Sequence, residues 1–333
     1  MRLNVAGLLS ICYDRARPGP GPGLARVVSP SMKAHIVVIK FMKSLRIILS
    51  IAFVVAPLLS PRSSLAQDTL RFAFITDLHF GKPGNAGEIL TPDIWLREAL
   101  HGISASDSRF ILLGGDIIDS CNNALEYALF DSAMKTTLPW YPMPGNHDIG
   151  TDSTTIRMEN INAWIGRGYG RGPQNSEFYG ITVDSLAAFF VLNSQASVSN
   201  DPAVLVRADQ QLAEMDSFFS SHASARQKFV CSHIPLFVES SNEADSYFNI
   251  SIAYRKRIVA LMDKHGVKTY LAGHRHESGI GRSGGITVFS QTALSFQLGD
   301  GNQRGYYVFT VTADSVLRAF LPLIPAGHRG GRW

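Results

Sequence analysis

Apolar residues in this chain come as short continuous runs, each closed by a polar loop and followed by a stretch with helical spacing. Leu70–Ile75, Arg109–Leu113, Trp140–Met143, Lys228–Ser232 and Lys268–Ala272 read as strands. Between them, Ile94–Ser104, Ala124–Lys135, Ala208–Phe219 and Ile252–His265 carry apolar residues at helical periodicity. Near-continuous apolar strands that alternate with helices predict an α/β fold whose sheet is covered on both faces. The last runs, Gly285–Phe289, Tyr306–Val311 and Ser315–Leu321, follow one another without helices and predict a second sheet. No repeat and no sharp linker interrupts residues 67–333, which read as one domain.

Residues 1–66 have a different grammar. Met42-Lys43-Ser44-Leu45-Arg46 is a short basic segment, Ile47–Leu59 carries no charge, and Ser64-Leu65-Ala66 places small residues before Gln67. That plan predicts a secretory signal peptide and an exported chain, periplasmic or extracellular, starting near Gln67. A membrane span needs about 18 or more apolar residues, and this run is shorter and broken by Pro57. Stable membrane insertion is therefore not expected after cleavage; a tether formed by an uncleaved signal is the alternative. Upstream, Pro18-Gly19-Pro20-Gly21-Pro22-Gly23 supports neither helix nor strand, and Met32 and Met42 are alternative starts.

Composition changes the picture in two ways. With 45% hydrophobic and 17% charged residues the chain is neither disordered nor fibrous. Its net charge of +4 suggests an anionic partner, but the suggestion fails on division. Of the 31 basic and 27 acidic residues, nine and one lie in 1–66, leaving 22 and 26 beyond. The excess belongs to the extension, so nucleic-acid binding is not expected. Cys121 and Cys231 remain after cleavage. Export permits a bridge between them, while their place beside apolar runs favours buried free thiols.

The candidate chemistry sits just past the strand ends, where α/β sheets carry their sites. Asp77-Leu78-His79, Gly115-Asp116, Gly145-Asn146-His147-Asp148, His233 and Gly273-His274-Arg275-His276 each close one apolar run. Singly, an Asp there is a turn former or helix cap and a His a structural residue. Together they exceed chance: this composition predicts about 0.03 occurrences of Gly-His-x-His. Carboxylate, amide and imidazole donors on several loops suit metals of intermediate character such as Mn, Fe or Zn. Seven donors exceed one tetrahedral site but match two divalent or trivalent ions sharing a carboxylate. Such a pair can clamp both sides of a phosphoryl displacement and acidify a shared water.

In that order the motifs resemble the five-block signature of the calcineurin-like metallophosphoesterase superfamily, over residues 77–276. The resemblance implies a four-layer α-β-β-α sandwich of two mixed sheets flanked by helices. It implies that Asp77, His79 and His276 bind one ion, that Asn146, His233 and His274 bind the other, and that Asp116 bridges them. His147 would give a proton to the leaving oxygen, with Asp148 orienting its imidazole. Val191–Gln195, His233–Ser240, Tyr247-Phe248-Asn249 and Gln297-Leu298-Gly299 resemble the subfamily of calcineurin-like phosphoesterase domain-containing protein 1, whose members are described as serine/threonine-protein phosphatases. The chain departs from that subfamily in its export signal and in His79, where eukaryotic relatives carry Gln. It is less similar to purple acid phosphatases, whose metal-binding Tyr is replaced here by Asp119.

The resemblance implies a phosphomonoesterase whose nucleophile is a hydroxide shared by two metals. A phosphodiesterase acting on cyclic nucleotides or other diesters uses the same donors and remains the alternative. A non-enzymatic metal-binding scaffold is the third reading. Arg275, between two donors, reaches either a substrate phosphate or a salt bridge, and Glu239–Asn249 is either a pocket wall or a solvated loop. Oligomeric state is not legible.

Overall fold

Phe72 and Phe74 alternate with Ala73 and Ile75 along the first strand, β1 (Thr69–Ile75), and that alternation decides the layering. The computed structural model describes residues 69–82, 91–298 and 303–323. The expected export signal and the rest of the 1–66 extension lie outside the described residues, as does Gly299. After β1 come α1 (Pro92–Ser104), β2 (Ile111–Leu113), α2 (Ala124–Ala133), β3 (Trp140–Pro142), the single turn α3 (Asn146–Ile149) and α4 (Met158–Trp164). The second half runs β4 (Tyr179–Val183), β5 (Ala187–Val191), α5 (Pro202–Ser221), β6 (Gln227–Cys231), α6 (Ile252–His265) and β7 (Thr269–Ala272). It closes with β8 (Gly279–Ser283), β9 (Ile286–Ser290), β10 (Gly305–Thr312) and β11 (Val316–Pro322).

Two mixed sheets result, a five-stranded β11-β10-β1-β2-β3 and a six-stranded β4-β5-β6-β7-β9-β8. In the first, β1, β2 and β3 run parallel, β10 pairs antiparallel with β1 and β11 antiparallel with β10; in the second, β5, β6, β7 and β9 run parallel and β4 and β8 close the edges antiparallel. One face of β1 presents Leu70, Phe72 and Phe74, which join Leu112, Phe309 and Val311 with Phe189, Val191, Phe229 and Leu271 of the other sheet. Phe72 stacks on Phe110 and Phe309 and meets Phe189 and Phe229 edge-on. Each such side chain contributes about 1.5–3 kcal/mol by leaving water. The opposite faces, with Ala73, Ile75, Phe190 and Val230, belong to a cluster with helix residues such as Leu96, Phe130, Met215 and Ile258. The layers are therefore helix, sheet, sheet, helix.

The sheets differ from the sequence expectation at the C-terminal tail. Only Ile286–Ser290 enters the six-stranded sheet, parallel to β7. β10 and β11 extend the first sheet, with Phe72 opposite Phe309. The second sheet instead begins at β4 and β5, an antiparallel pair that the strand reading passed over. Helix α5 also starts earlier than its periodicity suggests, because Asp201 accepts from Ala203 N at 2.9 Å and Pro202 opens the first turn. Cys121 and Cys231 are both free thiols. Among the described residues no helix is long and apolar enough to cross a membrane.

Candidate metal centre

The loops leaving β1, β2, β3, β6 and β7 meet at one end of the two sheets. Asp77, His79, Asp116, His274 and His276 all turn there with positive φ, between 48° and 69°. That left-handed geometry costs a non-glycine residue about 1–2 kcal/mol, so the surroundings must hold it. They do so with main-chain bonds: Asp77 N and His79 N donate to the carbonyls of Gly115 and Asp116, each at 3.0 Å. Ser295 Oγ donates to the Asp77 carbonyl at 2.7 Å, tying the segment after β9 to the end of β1. Two glycines permit the close approach. A Cβ on Gly145 would lie 2.2 Å from Asp116 Oδ1, and one on Gly273 would lie 2.1 Å from Thr76 Oγ1.

Beside a rim group of His79, Asp119 and His147, side chains gather into two inner groups whose donor atoms lie within 4.8 Å of one another: Asp77, His79, Asp116 and His276 in one, Asp116, His233 and His274 in the other. Asp116 belongs to both. Asn146 joins the second group, its Oδ1 3.1 Å from His233 Nε2. All seven residues of these inner groups are buried. The sequence-predicted donors are thus brought together in two overlapping sets, and each set draws on both sheets.

The imidazoles test whether this arrangement fits cations. His233 Nδ1 lies 2.7 Å from the Gly114 carbonyl, His276 Nδ1 2.9 Å from that of Phe296, and His274 Nε2 2.9 Å from that of Tyr247. His79 Nδ1 lies 3.2 Å from Asp119 Oδ1. Each of these acceptors claims the one N–H of a neutral ring, so the inner nitrogens keep lone pairs. Yet the inner nitrogens face one another, His79 against His276 at 3.1 Å and His233 against His274 at 3.2 Å. Two lone pairs at that distance need a positive charge between them or on one ring. The Asn146 amide nitrogen is buried without a partner, as expected where its oxygen faces inward as a ligand. The donor set fits two metal ions.

Electrostatics point the same way. Burial raises the Asp116 carboxyl, but His233, His79 and His147 overcome it and hold the group well below the usual carboxylate range. Burial disfavours a charged His233, yet the Asp116 and Asp77 carboxylates and the Gly114 carbonyl lift it to about 9. His274 goes the other way, to about 4, through burial and the neighbouring His233. The pocket therefore concentrates negative charge that a cation neutralises.

His147 stands at the rim, 26% exposed, its ring 4.7 Å from that of His79. Its Nδ1 donates to the carbonyl oxygen of Asp119 at 2.6 Å, which leaves Nε2 free to act outward. The expected partnership with Asp148 is not formed. Asp148 is fully buried, and its carboxylate accepts from Gly145 N, Ile117 N and Ile118 N at 2.8–3.3 Å. Neighbours in a helical turn point apart, so Asp148 braces the loops while Asp119 holds His147. Asp119 also binds His79 and Lys82. Its role was missed, although its place three residues after Asp116 was visible. Arg275 forms an ion pair with Glu277, the salt-bridge alternative of its two readings. Of the expected Glu239–Asn249 segment, Tyr247 reaches the centre, its carbonyl accepting from His274 Nε2.

Residues 70–278 match the family model described as calcineurin-like phosphoesterase. The chain is 28% identical over 276 residues to the serine/threonine-protein phosphatase CPPED1 of Homo sapiens, covering 78% of this chain and 83% of that protein. It is 30% identical to CPPED1 of Pongo abelii over 264 residues, 75% of this chain and 80% of the relative. Among solved structures, a dimetal phosphatase from Danio rerio superposes with a TM-score of 0.54 at 13% identity, over 76% of this chain and 96% of that one. GAP50 of the Plasmodium inner membrane complex gives 0.56 at 17% identity, over 77% and 85%. These structures share the fold.

Proposed function

Because this chain belongs to the calcineurin-like phosphoesterase family and is a hydrolase of phosphate esters, we propose that it is a phosphomonoesterase working with two metal ions. The observation that carries the reading is Asp116, whose carboxylate belongs to both donor groups. Asp77, His79 and His276 hold one ion, and Asn146, His233 and His274 hold the other, with Mn, Fe or Zn suited to these donors. When bound, the ions supply Lewis acidity that neutralises phosphoryl oxygens and acidifies water.

The remaining chemistry falls to the chain. Outer-ring hydrogen bonds keep the imidazoles in one tautomer and one orientation, so little reorganisation is needed as charge develops. His147, anchored through Nδ1, presents Nε2 to the departing alkoxide and, as the imidazolium with a proton on each nitrogen, gives it the Nε2 proton, returning to the neutral ring. Asp119 fixes that ring through its carbonyl and His79 through its carboxylate. The relatives' names, serine/threonine-protein phosphatases, favour a monoester of the phosphoprotein kind, and the proposed export adds small phosphate esters outside the cell as candidates. Export itself is proposed from the signal in residues 42–66.

The test compares aryl phosphate monoesters and diesters with added Mn²⁺. Faster monoester turnover supports the reading, and a preference for the diester replaces it with phosphodiesterase activity.

A further inference from the structure

The loop of residues 238–250, between β6 and α6, is held from within. The Glu243 carboxylate accepts from Val238 N, Glu239 N and Ser240 N at 2.7–3.1 Å. Asn249 donates to Glu243 Oε1 and to the Ala244 carbonyl and accepts from Ser246 N. From beneath, the fully buried Arg255 of α6 donates to the carbonyls of Ile250, Ser241 and Glu243. Backbone tied at so many points holds its tip still.

That tip is Tyr247. Its carbonyl accepts from His274 Nε2 at 2.9 Å, and its ring centre lies 4.6 Å from that of His274. Burial and the Asp116 and Asp77 carboxylates raise the pKa of the Tyr247 phenol, with the Asn146 side chain opposing them. Even so, Tyr247 is 61% exposed. Packing does not explain such a residue, because a ring left in water returns little for the entropy of fixing it. Among the cationic side chains beside the ligands, Lys82 is paired with Asp119 and Arg275 with Glu277.

Resting on the phosphoesterase reading above, we propose that the Tyr247 hydroxyl donates a hydrogen bond to a non-bridging oxygen of the phosphoryl group held at the centre. The phenol is an uncharged donor, placed in advance by the loop, so it meets the anion without reorganising. It keeps its proton throughout and only binds and orients.

The test is Tyr247→Phe in the full chain, loaded with Mn²⁺ and titrated calorimetrically with inorganic phosphate, with metal content measured alongside. Metal content stays at the wild-type level, and phosphate affinity falls about tenfold or more, the loss of one hydrogen bond to a charged acceptor. Turnover of an aryl monoester falls by about 10–100-fold in kcat/KM. Equal phosphate affinity in the two proteins overturns the proposal, as does a wild type that binds no phosphate or a variant that loses metal. If phosphate binding drops as expected but the wild type hydrolyses no monoester, the monoesterase reading falls and this one stands.

Discussion

His79 Nε2 and His276 Nε2 face each other across 3.1 Å, one ring carried by each sheet. With their outer nitrogens engaged by Asp119 and the Phe296 carbonyl, neither ring can satisfy the other by tautomer choice.

Replacing His276 by Ala should therefore empty the Asp77 group while leaving the group around His233 and His274 able to bind. Elemental analysis is expected to show metal content halved, with monoester turnover reduced about 100-fold or more. Full metal content in the variant would refute the ligand assignment.

His147→Ala is expected to behave differently. The side chain belongs to neither of the two overlapping donor groups around Asp116, so both ions should stay, while kcat falls by about 10²–10⁴-fold. Steady-state kinetics beside metal analysis separates this from a ligand loss, and near-normal kcat would remove His147 from the chemistry.

Asp119 and Asp148 make a paired prediction. Asp119→Ala should weaken metal affinity at the first group by about 10–100-fold, because His79 loses the acceptor that orients it. Asp148→Ala should act on folding, since three buried backbone N–H groups lose their acceptor, at a cost of about 2–4 kcal/mol. Urea denaturation of both variants decides the matter: a stable Asp148→Ala protein with lost turnover would mean that this carboxylate works in catalysis after all.

At Gly273 an added Cβ would lie 2.7 Å from Asp77 Oδ2 as well as against Thr76. Gly273→Ala is expected to push Asp77 out of place, costing about 1–3 kcal/mol of stability and weakening metal binding. Thermal unfolding with and without Mn²⁺ measures both: the metal-induced rise in Tm should shrink in the variant.

The donors were legible in the sequence because parallel strands deliver side chains at their carboxyl ends, so Asp77, Asp116 and His233 each announce a strand just finished. What adjacent residues do was less legible. His147 and Asp148 are neighbours in the chain but diverge in the turn of α3, so their partners come from elsewhere. Pairing across long separations was hidden for a related reason. Nothing local in Tyr306–Val311 says that it lies against β1, since register is settled by which apolar face finds a partner. β8, made of Gly279, Ile280, Gly281, Arg282 and Ser283, has only Ile280 of the branched and aromatic side chains that mark strands. It is held as an edge by β9. Tyr247 was legible only as part of a segment with two readings, because its position depends on Arg255, buried under a loop of polar composition.

Each donor group takes members from both sheets: Asp77 and Asp116 leave the five-stranded one, His233, His274 and His276 the six-stranded one. Bound ions would thus rivet the two halves of the sandwich at one end. Metal affinity and the sliding of one sheet over the other become a single linked equilibrium. A substitution deep among Phe72, Phe189 and Phe229, far from any ligand, would loosen the grip on metal, and chelation would in turn let the aromatic interior open at a lower temperature.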